Sequence, residues 1–199
     1  MAFERALVLV ALLATACATP DPRSVDGFAR WRANNAAEVA AFETHLRGQQ
    51  LHEVVPLAQL LRSASSWQDC LAQPYAVPPP AQWGDANAVL RLIQALKAQG
   101  VLSAFEVHSS YRHAELNRCA GGAARSAHLL AYAVDLTPAS PPALALTLEA
   151  LCSFWRTQGA AWKMGLGRYP SGRIHIDTYG WRSWGADGRS QSSPCAAAP

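Results

Sequence analysis

The sequence predicts an α+β domain in which a small, largely antiparallel sheet is flanked by helices. Three observations carry that prediction. Helical periodicity dominates the first half, short apolar runs bounded by turn residues fill the second, and one long amphipathic segment interrupts those runs. The chain has 199 residues, 50% of them hydrophobic and 16% charged, enough for one sizeable core and one globular unit. It contains no internal repeat.

Residues 1–16 read as an export signal, with Arg5 near the start, the apolar run "ALVLVALLATA" and small residues before Cys17. The run is shorter than the roughly 20 residues a spanning helix needs. Two processing outcomes fit: cleavage at the small-x-small triplet Ala14-Thr15-Ala16, or a loose lipoprotein box "ATAC" that leaves Cys17 as a lipidated first residue. Either places the protein outside the cytoplasm, in the periplasm, and the second anchors it to a membrane. Lipidation of Cys17 leaves four cysteines for three connectivities. The pairs expected are Cys70–Cys119 and Cys152–Cys195, the latter pinning the tail "QSSPCAAAP"; four buried thiols are the alternative.

Residues 17–24 form a tether without periodicity, and a single globular domain follows over 25–199. Its helical part, 25–100, opens with a helix from Val25 to Leu46 that spaces Phe28, Trp31, Val39, Phe42 and Leu46 along one face. The Pro-rich connection "PYAVPPPAQWG" leads to Asp85, which can cap the helix "NAVLRLIQALKAQG". A core segment, 101–185, begins with a strand in "VLSAFEVHSS" and a short helix in "RHAELNRC" that ends at Gly121-Gly122. A second strand, "AYAVDLTP", stops at Pro138. The helix "PPALALTLEALCSFWRTQG" follows, with proline in its first turn, and then "KMGLGRYP", a Ser-Gly turn and "RIHIDTYGW" read as a β-hairpin. Residues 186–199 are a tail.

With 17 basic and 14 acidic residues the net charge is +3, too small and too scattered for a nucleic-acid groove, so no nucleic-acid partner is expected. A mild positive charge still favours a polyanionic surface such as a cell-wall polymer or a membrane.

The chemistry concentrates in "SAHLLAYAVDL", which places His128 and Asp135 in an otherwise apolar stretch. On one helix the two would share a face, and on one straight strand they would face opposite ways. The strand character of Tyr132 to Leu136 instead puts His128 in the loop entering the strand, folded back toward Asp135. Such a pair either holds a metal or is a histidine with a structural carboxylate partner. "RIHID" adds His175 and Asp177, which at i, i+2 point to the same side of a strand. His128, Asp135 and His175 would then give Zn²⁺ two imidazoles and a carboxylate and leave a fourth position for water, the layout of a catalytic zinc site. A structural site would prefer four protein ligands, often thiolates, and these cysteines lack close pair spacing.

At these residues the sequence resembles the zinc D-Ala-D-Ala metallopeptidases of bacterial cell walls, a group that also takes in lysostaphin-type endopeptidases and the hedgehog domain. The matches are "SSYR" (Ser109 to Arg112), "SAHLLAYAVDL" for the family's Ser-x-His-x-x-Gly-x-Ala-x-Asp, and "GLGRYPSGRIHIDTYGWRSWG" for its closing His-x-Asp hairpin. They run in order from about Phe105 to Gly185. The resemblance implies that fold, one Zn²⁺ per chain on His128, Asp135 and His175, Arg112 as a catalytic and substrate-binding contact to a carboxylate or carbonyl, and Ser126 as a substrate hydrogen-bonding group. Two departures stand out. Ala131 replaces the usual glycine, which a strand tolerates if no positive φ is needed. Gly172 and Arg173 stand where several relatives carry the general base, so Asp177 is expected to be either that base or the group that orients a ligand.

Other polar residues carry weaker signals. His113 reads as surface, and His45, His52 and His108 have no assigned role. Trp162, Trp181 and Trp184 read as packing or as a stacking wall, and Arg168, Tyr169 and Arg173 as solvated hairpin residues or as contacts to anionic substrate groups. The function expected is hydrolysis of peptidoglycan stem peptides, as D-Ala-D-Ala carboxypeptidase or cross-link endopeptidase. The alternatives are a non-catalytic, zinc-containing cell-wall-binding lipoprotein and a disulfide-stabilised structural protein. A monomer is expected, with oligomeric state left open.

Overall fold

The computed structural model describes residues 21–140 and 143–196. The export signal at 1–16, Cys17 and its lipidation, the start of the tether and the proline pair 141–142 lie outside the described residues. Helices are α1 (Val25–Asn34), α2 (Ala36–Gly48), α3 (Leu57–Leu60), α4 (Trp83–Ala98), α5 (Ala114–Cys119) and α6 (Ala143–Thr157). Strands are β1 (Phe105–Ser109), β2 (Ala133–Pro138), β3 (Gly165–Arg168), β4 (Ile174–Asp177) and β5 (Arg182–Trp184).

The single helix expected from Val25 to Leu46 is two. Asn35 leaves helical geometry at φ −123°, and its side-chain amide donates to the Trp31 carbonyl at 2.8 Å, so a residue that competes for backbone bonds ends α1. Phe28 and Trp31 of α1 then pack on Tyr75 at 5.0 and 5.2 Å between ring centroids. Asp85 does not cap α4 either. A 3₁₀ turn over Pro80–Gln82 moves the cap three residues earlier, to Gln82, leaving Asp85 in the first turn, where its charge suits the helix dipole.

The five strands form one sheet in the order β1-β2-β4-β3-β5. All pairings are antiparallel except β3 with β5, a parallel edge that the hairpin pattern did not reveal. Alternation divides the sheet. Val134, Leu136, Leu166, Ile174 and Ile176 face a core completed by Val89, Leu90 and Ile93 of α4 and Leu151 and Phe154 of α6. The opposite face carries, in register, Ser109, Asp135, His175, Gly167 and Trp184, and beside them Ala133, Asp177, Gly165 and Arg182.

Two local features shape that polar face. The register between β1 and β2 slips between Val107 and Ser109, so Val107 pairs with Leu136 on the core side while Ser109 pairs with Asp135 on the other. Without the slip these two residues, i and i+2, would share a face. On β3, a Cβ at Gly165 would run into the Asp177 carboxylate and one at Gly167 into the Trp184 ring. The Gly-x-Gly of "GLGR" thus opposes the His-x-Asp of β4 and leaves room for both side chains to lie across the sheet.

Both expected disulfides are formed. Cys152–Cys195 fastens the tail to α6, and Cys70–Cys119 joins the loop after α3 to the end of α5. Such bonds belong to an oxidising compartment.

Candidate metal centre and its cleft

Asp135 on β2 and His175 on β4 are direct cross-strand neighbours, and a 3₁₀ turn over Ala127–Leu130 brings His128 onto them. The sequence reading put His128 in an irregular loop, and the turn is its ordered form: the Ser126 hydroxyl accepts from the His128 N–H at 3.3 Å. The three side chains are almost completely buried, with ligand-capable atoms within 4.8 Å of one another. His128 Nε2 lies 3.1 Å and His175 Nδ1 2.9 Å from the same oxygen, Asp135 Oδ1. Two imidazole nitrogens from distant segments thus converge on one carboxylate oxygen.

The surroundings fix each ligand. His128 Nδ1–H donates to the Ser110 carbonyl at 2.6 Å, which leaves Nε2 as the nitrogen facing Asp135. Arg112 donates through Nη2 to Asp135 Oδ2 and through Nε to Ser109 Oγ at 2.8 Å, and its backbone N–H bonds the His128 carbonyl at 3.0 Å. His175 Nε2 faces Asp177 Oδ2 at 2.7 Å. Asp177 is fully buried, bound by both Arg182 nitrogens at 3.0 and 2.8 Å and by the Tyr179 N–H at 2.8 Å.

Electrostatics follow from this packing. Burial pushes the His128 pKa down, so its Nε2 presents a lone pair to a carboxylate oxygen. Burial opposes charge on Asp135 too, but the two imidazoles outweigh it and hold the acid well below the ordinary range. For His175, burial is overcome by the carboxylates on its two nitrogens, which raise it to about 9. Asp177 is held low in the same way, its burial outweighed first by His175 and then by Arg182. Two nitrogens and a carboxylate with fixed second partners form a donor set suited to a divalent cation such as zinc, which relieves the lone-pair contact. A thiolate-rich structural site is ruled out among the described residues, because Cys70, Cys119, Cys152 and Cys195 are all in disulfides.

The centre opens into a cleft of about 750 Å³, lined among others by Arg112, Ser126, Asp135, Tyr169, His175 and Trp184. The sequence model of the family described as Peptidase M15 matches residues 56–177, well over half of the chain, and spans every residue named in the centre except Tyr179 and Arg182. The chain belongs to the peptidase M15 family. No curated protein and no solved structure matches the chain. M15 enzymes are zinc D-Ala-D-Ala carboxypeptidase-like metallopeptidases, and His128, Asp135 and His175 form the metal-capable group here.

Within this M15 fold one sequence expectation is corrected. Ala131 is not in a strand but closes the His128 turn in left-handed backbone at φ +57°, so the position does need a positive φ. Alanine adopts this region at a cost of roughly 1–2 kcal/mol, which the buried surroundings hold in place. Among the hairpin residues, Tyr169 and Arg173 line the cleft and exposed Arg168 does not. The Tyr169 hydroxyl is 3.5 Å from His175 Nδ1, and burial followed by the Asp135 charge raises its pKa. Trp184 packs on His175 at 5.5 Å; Trp181 stacks on Trp155 at 5.0 Å and is half exposed. His113 is exposed and caps α5. Sequence reasoning missed Arg182 as the partner of Asp177 and the glycine pair that makes their contact possible; the signal was a Gly-x-Gly strand next to the His-x-Asp strand.

His108, given no role from sequence, lies within the register slip with Nε2 2.8 Å from Thr137 Oγ1. Its pKa is lowered mainly by burial and further by Arg62, Arg173 and Arg23, with Glu106 opposing. A histidine kept neutral in the fold contributes stability above its unfolded pKa of about 6.5, and that contribution is lost as pH falls through the lowered native value. Denaturant unfolding is therefore expected to show stability declining below about pH 6.5, with a shallower slope in His108→Asn.

Proposed function

We propose that the chain is an exported zinc peptidase that hydrolyses peptide bonds in peptidoglycan stem peptides and acts as a monomer. The observation that carries this reading is the convergence of His128 Nε2 and His175 Nδ1 on Asp135 Oδ1 beside an open cleft. In it, His128, Asp135 and His175 hold the ion, which when bound polarises the scissile carbonyl and acidifies a water molecule. Arg112 keeps Asp135 turned toward the two histidines and presents its remaining edge to the cleft. Ser126 holds the His128 turn from the cleft wall, where its hydroxyl can meet a substrate amide. Of the two roles open to Asp177, orientation of His175 fits better than general base, since its oxygens are taken by His175, Arg182 and the Tyr179 N–H and it has no exposure.

That sealed Asp177, with Gly172 and Arg173 upstream, also supports a second reading: a zinc-containing protein that grips cell-wall peptide without turnover. Digestion of purified murein sacculi with the zinc-loaded chain separates the two. The peptidase reading expects released fragments whose masses identify the bond cut, and metal-replete protein that binds sacculi and releases nothing supports the second reading.

A further inference from the structure

We propose that Arg125 and Arg173 form a carboxylate-binding subsite on the cleft wall, one that selects substrates carrying a free carboxylate. The inference rests on the proposed peptide substrate and adds the group by which it is chosen. Four guanidinium groups line the cleft: Arg112, Arg125, Arg173 and Arg182. Two are already committed. Arg112 is bound to Asp135 and only 8% exposed, and Arg182 grips both oxygens of Asp177. Among the described residues no carboxylate pairs with Arg125 or Arg173.

Arg173 is nonetheless held in place, while Arg125 stands exposed on the cleft wall. Arg173 is bonded by Ser65 and Ser171, hydroxyls that fix a guanidinium without neutralising it. Arg125 follows a turn in which Asn117 Nδ2 donates to the Ala123 carbonyl at 3.0 Å, just beyond the Cys70–Cys119 bond. The wall near Arg173 is electropositive: Arg23 is lowered to about 10 by burial first and then by Arg62, with Arg173 adding to the effect. Among the described residues Asp69 is the one unpaired acid lining this cleft, so the two arginines exceed the available negative charge. Forked guanidinium donors match a carboxylate, and that of Arg173 is already oriented by its two serine hydroxyls.

The carboxylate has two sources in a stem peptide, the C-terminus and an acidic side chain. Dissociation constants of the intact zinc-loaded chain, read from tryptophan fluorescence before turnover, distinguish them. One peptide pair differs by C-terminal acid against amide, the other by Glu against Gln. In one pair the wild type is expected to favour the acid by roughly tenfold to a hundredfold. Arg125→Ala and Arg173→Ala should each reduce that preference and the double variant remove it, with zinc content unchanged; Arg173→Lys should keep part of it, and Arg168→Ala all of it. Equal affinities in both pairs, or a preference that survives the double variant, overturn the subsite. Preference without product release would count against the peptidase reading alone, and cleavage of acid and amide forms alike against the subsite alone.

Discussion

His128→Ala is expected to remove both the metal and the activity. Zinc content should fall from about one per chain to none, and peptide hydrolysis by at least about a thousandfold, because two of three donors do not hold zinc against solvent. The geometry explains why so much depends on one ring. Of the three metal-capable residues His128 alone lies outside the sheet, carried by a short 3₁₀ turn and tied back through the Ser110 carbonyl, the Ser126 hydroxyl and the Arg112 N–H. Its removal also leaves the buried Ser110 carbonyl without this donor, at roughly 1–3 kcal/mol. Unchanged far-UV circular dichroism with metal absent would place the loss in coordination rather than in folding. Stoichiometric zinc and full turnover in the variant would mean that the centre has been misassigned.

The centre was legible in the sequence because its donors lie in segments with strong local patterns. His175 and Asp177 alternate in an apolar strand, and Asp135 lies in another strand stopped by proline, so a shared face followed from the period of two. What the period does not contain is registry. Nothing local in "FEVHSS" announces that the pairing slips so as to turn Ser109 toward Asp135 and Arg112. Nor does the alanine at 131 announce a left-handed residue, since its intrinsic preference argues against one and the tertiary fold overrides it. The α1–α2 break was hidden for a related reason: apolar spacing continues through Asn35, and the helix ends only in the backbone angles of Asn35 and its side-chain bond to Trp31.

Local patterns also cannot pair charges across the fold. Arg112 read as a substrate contact, and its bonds to Asp135 and Ser109 within the cleft wall were not foreseen. Arg182 went unnoticed because its partner lies across a strand and needs Gly165 to be reached. Once those two are accounted for, the uncommitted positive charge of the cleft rests on Arg173, which the sequence left open between a solvated hairpin residue and a contact to anionic substrate groups, and on Arg125, which the sequence reading did not single out.

Asp177→Asn tests how that pairing supports the centre. The substitution keeps size and shape but removes the charge that accepts from His175 Nε2 and from the two Arg182 nitrogens. An orienting carboxylate predicts weaker metal rather than dead chemistry, with zinc affinity down by roughly 10 to 100-fold and activity largely restored when zinc is added in excess. A general base predicts the reverse: metal retained at one per chain and kcat reduced by at least about a hundredfold at any zinc concentration. Titrating zinc against both apparent affinity and kcat in the variant therefore decides the role. The burial of Asp177 and its bond to the outer nitrogen of His175 lead us to expect the first pattern, because a carboxylate with both oxygens engaged has none left for a proton from water.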